Sequence, residues 1–327
     1  LRLRHFTIPL KIMIGAGLVY WLVRDAAAAD AWSVLAGTRL LLVALAVLSF
    51  AVAVAFNAFR WRIVLALLGT RIPARIAVIG TFEGMFFNLF LPTGVGGDVA
   101  RAYRAYDFGL TARRAAEGAL IDRALGLFGL ALAVALAAPF SAGLQMVDGW
   151  PYMLGFVAIV LAGGLAVAHG SAFLPARTGR AWLDGVLALT ADYGRVVRSP
   201  RFWTSIVPML LASNLAIGVS TLLVAKSIGL SASLADMVIV VEGGALTALI
   251  PVSIGGWGVR EGTVALLMSA MGHPSAAALA TSALMGLVLA IIGLAGAAIW
   301  IASPYNRAFR FACRAGRSPG AGDIRSD

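Results

Sequence analysis

The feature that most constrains this chain is the length of its apolar runs. Residues 8–23, 39–59, 117–138, 152–168, 203–225 and 276–302 are each predominantly apolar, and about 20 such residues cross the hydrocarbon of a bilayer. Only 13% of residues are charged against 61% hydrophobic, roughly half the charged share a water-facing domain carries. Mean hydropathy is +0.91. A soluble fold is excluded, and an all-α polytopic membrane protein is predicted. The first run follows Arg2, Arg4 and His5 in the manner of a signal peptide. It is read as a retained helix, because the rest of the chain is itself membrane-embedded.

Two further stretches, 76–91 and 233–250, run into Pro92 and Pro251, then into paired glycines and a helix that contains charges. Pro removes a backbone donor, so each stretch is predicted to break at membrane depth. Twenty-one of the 26 Lys and Arg residues fall in segments 1–11, 57–75, 101–114, 177–201 and 307–325, whereas Arg24, Arg39 and Lys226 lie in the segments between. The positive-inside rule makes the first set cytoplasmic, with both termini, in a bacterial inner membrane. The bias holds if 76–110 enters from the cytoplasm and returns there, and 233–271 does the same from outside. About six full spans around two re-entrant helical hairpins follow; a double span in place of either hairpin would keep the same parity.

One transmembrane domain, 1–315, is expected, with 316–327 as a disordered, Gly/Pro/Ser-rich tail. Within it lie a first repeat at about 39–138, a linking span and interfacial helix over 152–198, and a second repeat at about 203–302. The interfacial helix is read from Trp182, Leu183, Val186, Leu187, Tyr193, Val196 and Val197, which recur at helical spacing. The net charge of +11 sits in short loops between apolar runs, not on a basic arm, so nucleic acid is not an expected partner. Cys313 is the single cysteine; no disulfide framework, metal or cofactor is predicted.

The repeat is the most specific signal. Glu83-Gly84, Pro92, Gly96-Gly97 and Arg101 return 159 residues later as Glu242-Gly243, Pro251, Gly255-Gly256 and Arg260. The core P-x3-G-G-x3-R has on the order of 0.01 chance matches in a chain of this composition, and two occur. Gly69 and Gly229 upstream, and Gly109 and Gly272 downstream, align within a few residues. Together with the charge count, the copies have opposite orientation, as in transporters with broken helices near the midplane.

Helix N-termini favour anions, Gly lets a phosphate approach the backbone, and Arg grips it bidentately. The pattern therefore reads as two anion sites, one opening to each side. The competing reading is that the breaks merely pack the hairpins while Arg101 and Arg260 reach to the interface. Glu83 and Glu242 are expected to pair with the hairpin arginines; proton coupling is the other use of an intramembrane carboxylate. Asp122 and Arg123 either line the same cavity or sit at the interface. Asp98 serves as a cap of the second hairpin helix or as a ligand contact, and Glu261 tunes Arg260. Asn88, Thr93 and Ser253 either donate to a headgroup or cap backbone. His169 and His273, at segment ends, are expected to be solvated.

The stretches Asn88–Arg101, Asp122–Gly126 and Pro251–Glu261 resemble the lysylphosphatidylglycerol synthase transmembrane-domain family, also described as flippase-like integral membrane proteins. The resemblance covers about residues 8–302. Where the family shows Glu before the Arg of the middle motif, this chain has Asp122. The resemblance implies movement of lipid without naming the lipid. Family members with synthase activity carry a separate soluble aminoacyltransferase domain. Some 25 residues follow the last span here, too few for one, so that activity is not expected to transfer.

The leading expectation is a non-enzymatic flippase or scramblase-like transporter for an anionic phospholipid or polyprenyl-phosphate lipid. Arg101, Gly96, Gly97, Glu83, Asn88, Asp98, Asp122 and Arg123 would serve the cytoplasmic side. Arg260, Gly255, Gly256, Glu242, Glu261 and Ser253 would serve the outer side. No Walker A pattern is present, so ATP is not the direct drive. The alternatives are a lipid-binding accessory subunit, and an intramembrane lipid-phosphate enzyme using Asp98, Asp107, Glu117 and Asp122 as acid and base. Substrate, energy coupling and oligomeric state are left open by the sequence.

Overall fold

A computed structural model describes residues 34–90, 95–173, 178–247 and 258–303. Among the described residues ten α-helices follow one another: α1 Leu40–Leu67, α2 Ala74–Phe90, α3 Gly96–Asp107, α4 Ala112–Ala137, α5 Trp150–Gly170, α6 Ala181–Arg198, α7 Val207–Ser227, α8 Leu234–Thr247, α9 Val259–Ala270 and α10 Ser275–Ala302. No strand occurs among the described residues. The protein is an all-α, multi-pass membrane protein.

Among the described residues five segments are long and apolar enough to cross a membrane: Leu40–Leu67, Ala112–Phe140, Trp150–Phe173, Phe202–Ser227 and Ser275–Ala302. They coincide with five of the six predicted spans. The sixth, 8–23, lies outside the described residues, as does the tail 316–327. α5 buries only Val157 and Ala168 although it is apolar all round. Such a helix suits a hydrocarbon solvent and would be untenable in water.

The two shorter stretches are helical up to the last described residues before Pro92 and Pro251, as α2 and α8; the predicted breaks lie outside the described residues. Each is followed by a 12-residue helix packed back against it, α3 on α2 and α9 on α8.

The repeat is visible in the turns. α1, α3, α7 and α9 all end at a glycine with positive φ: Gly69, Gly109, Gly229 and Gly272. In each case the next residue donates its N–H to the carbonyl five positions back, as in Thr70 to Leu65 and Leu230 to Ala225. This closes the last turn in the manner of a Schellman cap, which requires the left-handed conformation that Gly adopts without a Cβ penalty.

The two halves interleave. α1 packs along α7 in antiparallel fashion: Arg39 N–H donates to the Ser227 carbonyl, Ser220 Oγ to Ala46 and Ser49 Oγ to Ala216. α2 rests on α10 and α8 rests on α4, so each hairpin leans on a helix of the other half. At the α2–α10 contact, a Cβ on Gly296 would lie 2.0 Å from the Phe82 carbonyl oxygen. The backbones meet that closely only because Gly296 has no side chain.

The helix expected over 177–198 is present as α6, but it is not simply interfacial. Tyr193, Val196 and Val197 pack in the core with Val64, Leu125 and Phe202. Trp182 and Val186 remain exposed. The C-terminal half of α6 docks on the bundle because Asp192 finds a salt bridge there, to Arg114 at 2.7 Å.

Candidate functional site

The first hairpin builds a buried ion network from three helices. Asp122, fully buried on α4, accepts from Arg60 of α1 through both oxygens, at 2.8 and 3.1 Å. It also accepts from Arg101 of α3 at 2.7 Å. Arg101 then donates to Asp98, and Asp98 accepts from Arg123. The Arg101 guanidinium lies 5.5 Å above the Trp61 ring, a cation–π geometry that helps hold a charge in apolar surroundings. Three arginines face two aspartates, so these five side chains leave one net positive charge. Asp122 and Arg123 are sequence neighbours that do not face each other, yet Arg101 and Asp98 link them into one chain.

A second pair lies alongside. Glu83 of α2 binds Arg104 of α3 bidentately, with 2.9 Å from Nε to Oε2. The expected partner, Arg101, is one turn away and is held by Asp98 and Asp122. Pairing with a hairpin arginine is therefore met at Glu83, through a different arginine. Arg60 and Arg104 were absent from the sequence reading, which counted them as loop charges, although both are buried.

The glycine pair does not offer its backbone to a ligand at Gly97. A Cβ there would lie 2.5 Å from both Asn88 Nδ2 and the Gly84 carbonyl oxygen. The Gly97 N–H donates to Asn88 Oδ1 at 2.7 Å. Asn88 thus caps the start of α3 from the facing helix, as the capping alternative had it. Asp98, in the first turn of α3, pairs with arginines instead; the residue at the cap position is Val95, which makes no side-chain bond. Gly96 is buried at the first position of α3.

The second hairpin repeats the motif without the network. Arg260 binds its neighbour Glu261, whose other oxygen accepts the Gly258 N–H at 2.7 Å and caps α9. Glu242, 3% exposed, has its Oε1 buried with no hydrogen-bond partner. The expected pairing of Glu242 with Arg260 is not made. The motif arginines keep nearly the same seat, the Arg101 stem against Gly84 and the Arg260 stem against Gly244. The residue that binds Glu83 is Arg104, and the equivalent position 159 residues on holds Thr263, which bonds Thr247. Gly255, Gly256, Ser253 and Thr93 lie outside the described residues.

A separate ion network ties the start of α4 to α6. Glu117 binds Arg113 at 2.7 Å and Arg114 at 3.0 Å, and Asp192 binds Arg114 and Arg195. His169 is exposed as expected. His273 differs: it is half-buried, and its Nε2 has no hydrogen-bond partner among the described residues. No group of three or more metal-ligating side chains occurs among the described residues.

Two apolar grooves adjoin α4. One, of about 320 Å³, lies between α4, α5 and α6 and is lined by Leu120, Ala124, Leu127, Gly163, Val167 and Tyr193. Arg123 is not one of its lining residues, but it precedes Ala124 on α4 and shares a helix face with Leu120 and Leu127. The other, of about 610 Å³, lies at the far end of α4 between Leu136, Phe140, Leu211, Leu215, Ala235 and Val238.

The model of the family described as the lysylphosphatidylglycerol synthase TM region matches residues 8–297, and the chain belongs to that family. No curated protein matches the chain.

Proposed function

With that family membership as premise, we propose that the chain is a flippase or scramblase-like transporter that carries the headgroup of an anionic lipid across a bacterial inner membrane. The observation that carries this reading is the net positive charge left by Arg60, Arg101 and Arg123 against Asp98 and Asp122, the first two arginines buried and the Arg123 side chain 30% exposed beside an apolar groove. Charges are rarely kept at such depth without a use, because each costs roughly 2.5–3.5 kcal/mol on insertion scales. A phosphate bound by Arg123 leaves the tail of its lipid in hydrocarbon along Leu120, Ala124 and Leu127.

The antiparallel course of α1 and α7, the equivalent helices of the two copies, supports an inverted repeat. The packing of α3 back on α2 and of α9 back on α8 supports the two hairpins. On this reading the first hairpin opens to the cytoplasm, where the charge bias also puts both termini, and Arg260 and Glu261 serve the outer side. Carboxylates that bind arginine are poorly placed to act as general acid and base, which weighs against a lipid-phosphate enzyme at Asp98, Glu117 or Asp122.

One observation favours a second reading. Arg60, Arg101 and Arg123 each already have a carboxylate partner, as in a purely structural cluster of a lipid-binding accessory subunit. Headgroup translocation in proteoliposomes separates the two. Labelled phosphatidylglycerol, its lysyl derivative and a polyprenyl-phosphate sugar would be compared. The transporter reading expects one of them to move, and Arg123→Ala and Arg260→Ala each to slow it about 10- to 100-fold, the worth of a charged hydrogen bond. Thermal stabilisation by a lipid without any movement would establish the accessory reading instead.

A further inference from the structure

Glu242 is the one intramembrane carboxylate of the repeat motif that the site described above leaves unused. Its counterpart Glu83 is neutralised by Arg104. Glu242 is as deeply buried, in a 14-residue helix whose neighbouring residues Met237, Ile239, Val240 and Val241 are buried apolar side chains. The elements packed against α8 supply no counter-charge. On α4, Asp122 and Arg123 are held in the first network, and the charges at its start bind one another and α6. Lys226 is exposed at the end of α7, and Arg260 and Glu261 of α9 bind each other. Asp236, on α8 itself, binds Ser141.

A carboxylate so placed must either carry a proton or gain a cation, because an isolated charge in such surroundings is too costly. The nearest cation by construction is Arg260: a Cβ on Gly244, two residues beyond Glu242, would touch the Arg260 Cγ at 3.3 Å. Arg260 is also the residue assigned to the anionic headgroup. The two ligands of this hairpin therefore assist each other. While Glu242 is neutral, Arg260 is available to exchange Glu261 for a phosphate. When Glu242 gives its proton to water, the bare carboxylate draws Arg260 and expels the anion.

We propose that Glu242 is a proton-binding site that couples lipid movement to a proton gradient, one proton travelling with each anionic headgroup. The proposal rests on the transporter reading of the same hairpin. It is tested in proteoliposomes by the ratio of headgroup movement with and without an imposed gradient of one pH unit, the three labelled lipids above serving as probes. Coupling of one proton per headgroup supports an asymmetry of up to about tenfold. Glu242→Gln should bring the ratio to about one, and Glu242→Asp should restore it. An infrared carboxylic C=O band present in the wild type and missing in Glu242→Gln reports the protonated group independently of transport.

Absence of that band overturns the proton site. Movement that ignores the gradient, or a gradient response that survives in Glu242→Gln, overturns the coupling and leaves the transporter reading intact. Failure of any of the three lipids to move under any gradient removes the transporter reading, and the coupling with it.

Discussion

The two hairpins share a motif, a helix–break–helix course and a glycine at the end of each second helix, yet one is an ion-paired block and the other is not. In the first, Glu83, Asp98 and Asp122 satisfy Arg60, Arg101, Arg104 and Arg123. In the second, Arg260 has its own neighbour as partner and Glu242 has none. The motif specifies where the chain breaks. It does not specify what the charges beside the break will meet: Glu83 finds Arg104, whereas the equivalent position of the second copy holds Thr263.

The largest test of this contrast is Asp122→Ala. It leaves Arg60 without its carboxylate and Arg101 with Asp98 alone, and removal of one member of a buried ion pair costs about 3–5 kcal/mol. Thermal unfolding in detergent should show a large drop in midpoint; an unchanged midpoint would mean that the cluster is not what holds α1, α3 and α4 together. Next comes the matched pair Glu83→Gln and Glu242→Gln. The first removes the carboxylate that Arg104 binds bidentately, at a cost of about 3 kcal/mol. The second removes nothing that is bonded and should stay within about 1 kcal/mol of wild type. Equal losses in the two variants would erase the distinction drawn here. The smallest expected effect is Asn88→Ala, which deletes the cap on the Gly97 N–H and should cost about 1 kcal/mol, read from the same melting curves.

Much of the architecture was legible because it is written in local signals. Apolar run length gave five spans that overlap those found, with ends out by up to eight residues where Arg60 and Arg62 continue the first helix to Leu67. The aligned glycines became four helix-ending turns, since positive φ is a local demand that few other residues meet. The partners of the charges were not legible. Arg60 and Asp122 are 62 residues apart, and their meeting depends on how α1 crosses α4, which no spacing rule encodes. Arg60, Arg101 and Arg104 also look like positive-inside loop charges when only counted, whereas they are buried on helices. In the second copy the position equivalent to Arg104 is Thr263, so no arginine stands where Glu83 finds its partner. A motif alignment pairs each glutamate with Arg101 or Arg260 and leaves out the position that decides the pairing.

The interleaving of the halves bears on how this chain can be divided or rebuilt. α2 finds its seat on α10 through Gly296, and α8 finds its own on α4. A fragment ending near α6 would keep the first hairpin and lose the surface that receives it, and the complementary fragment would lose the seat of α8. Neither half is a module that can be excised, swapped or expressed as a minimal version. The smallest workable unit contains both, which is how a duplicated sequence becomes a single indivisible body.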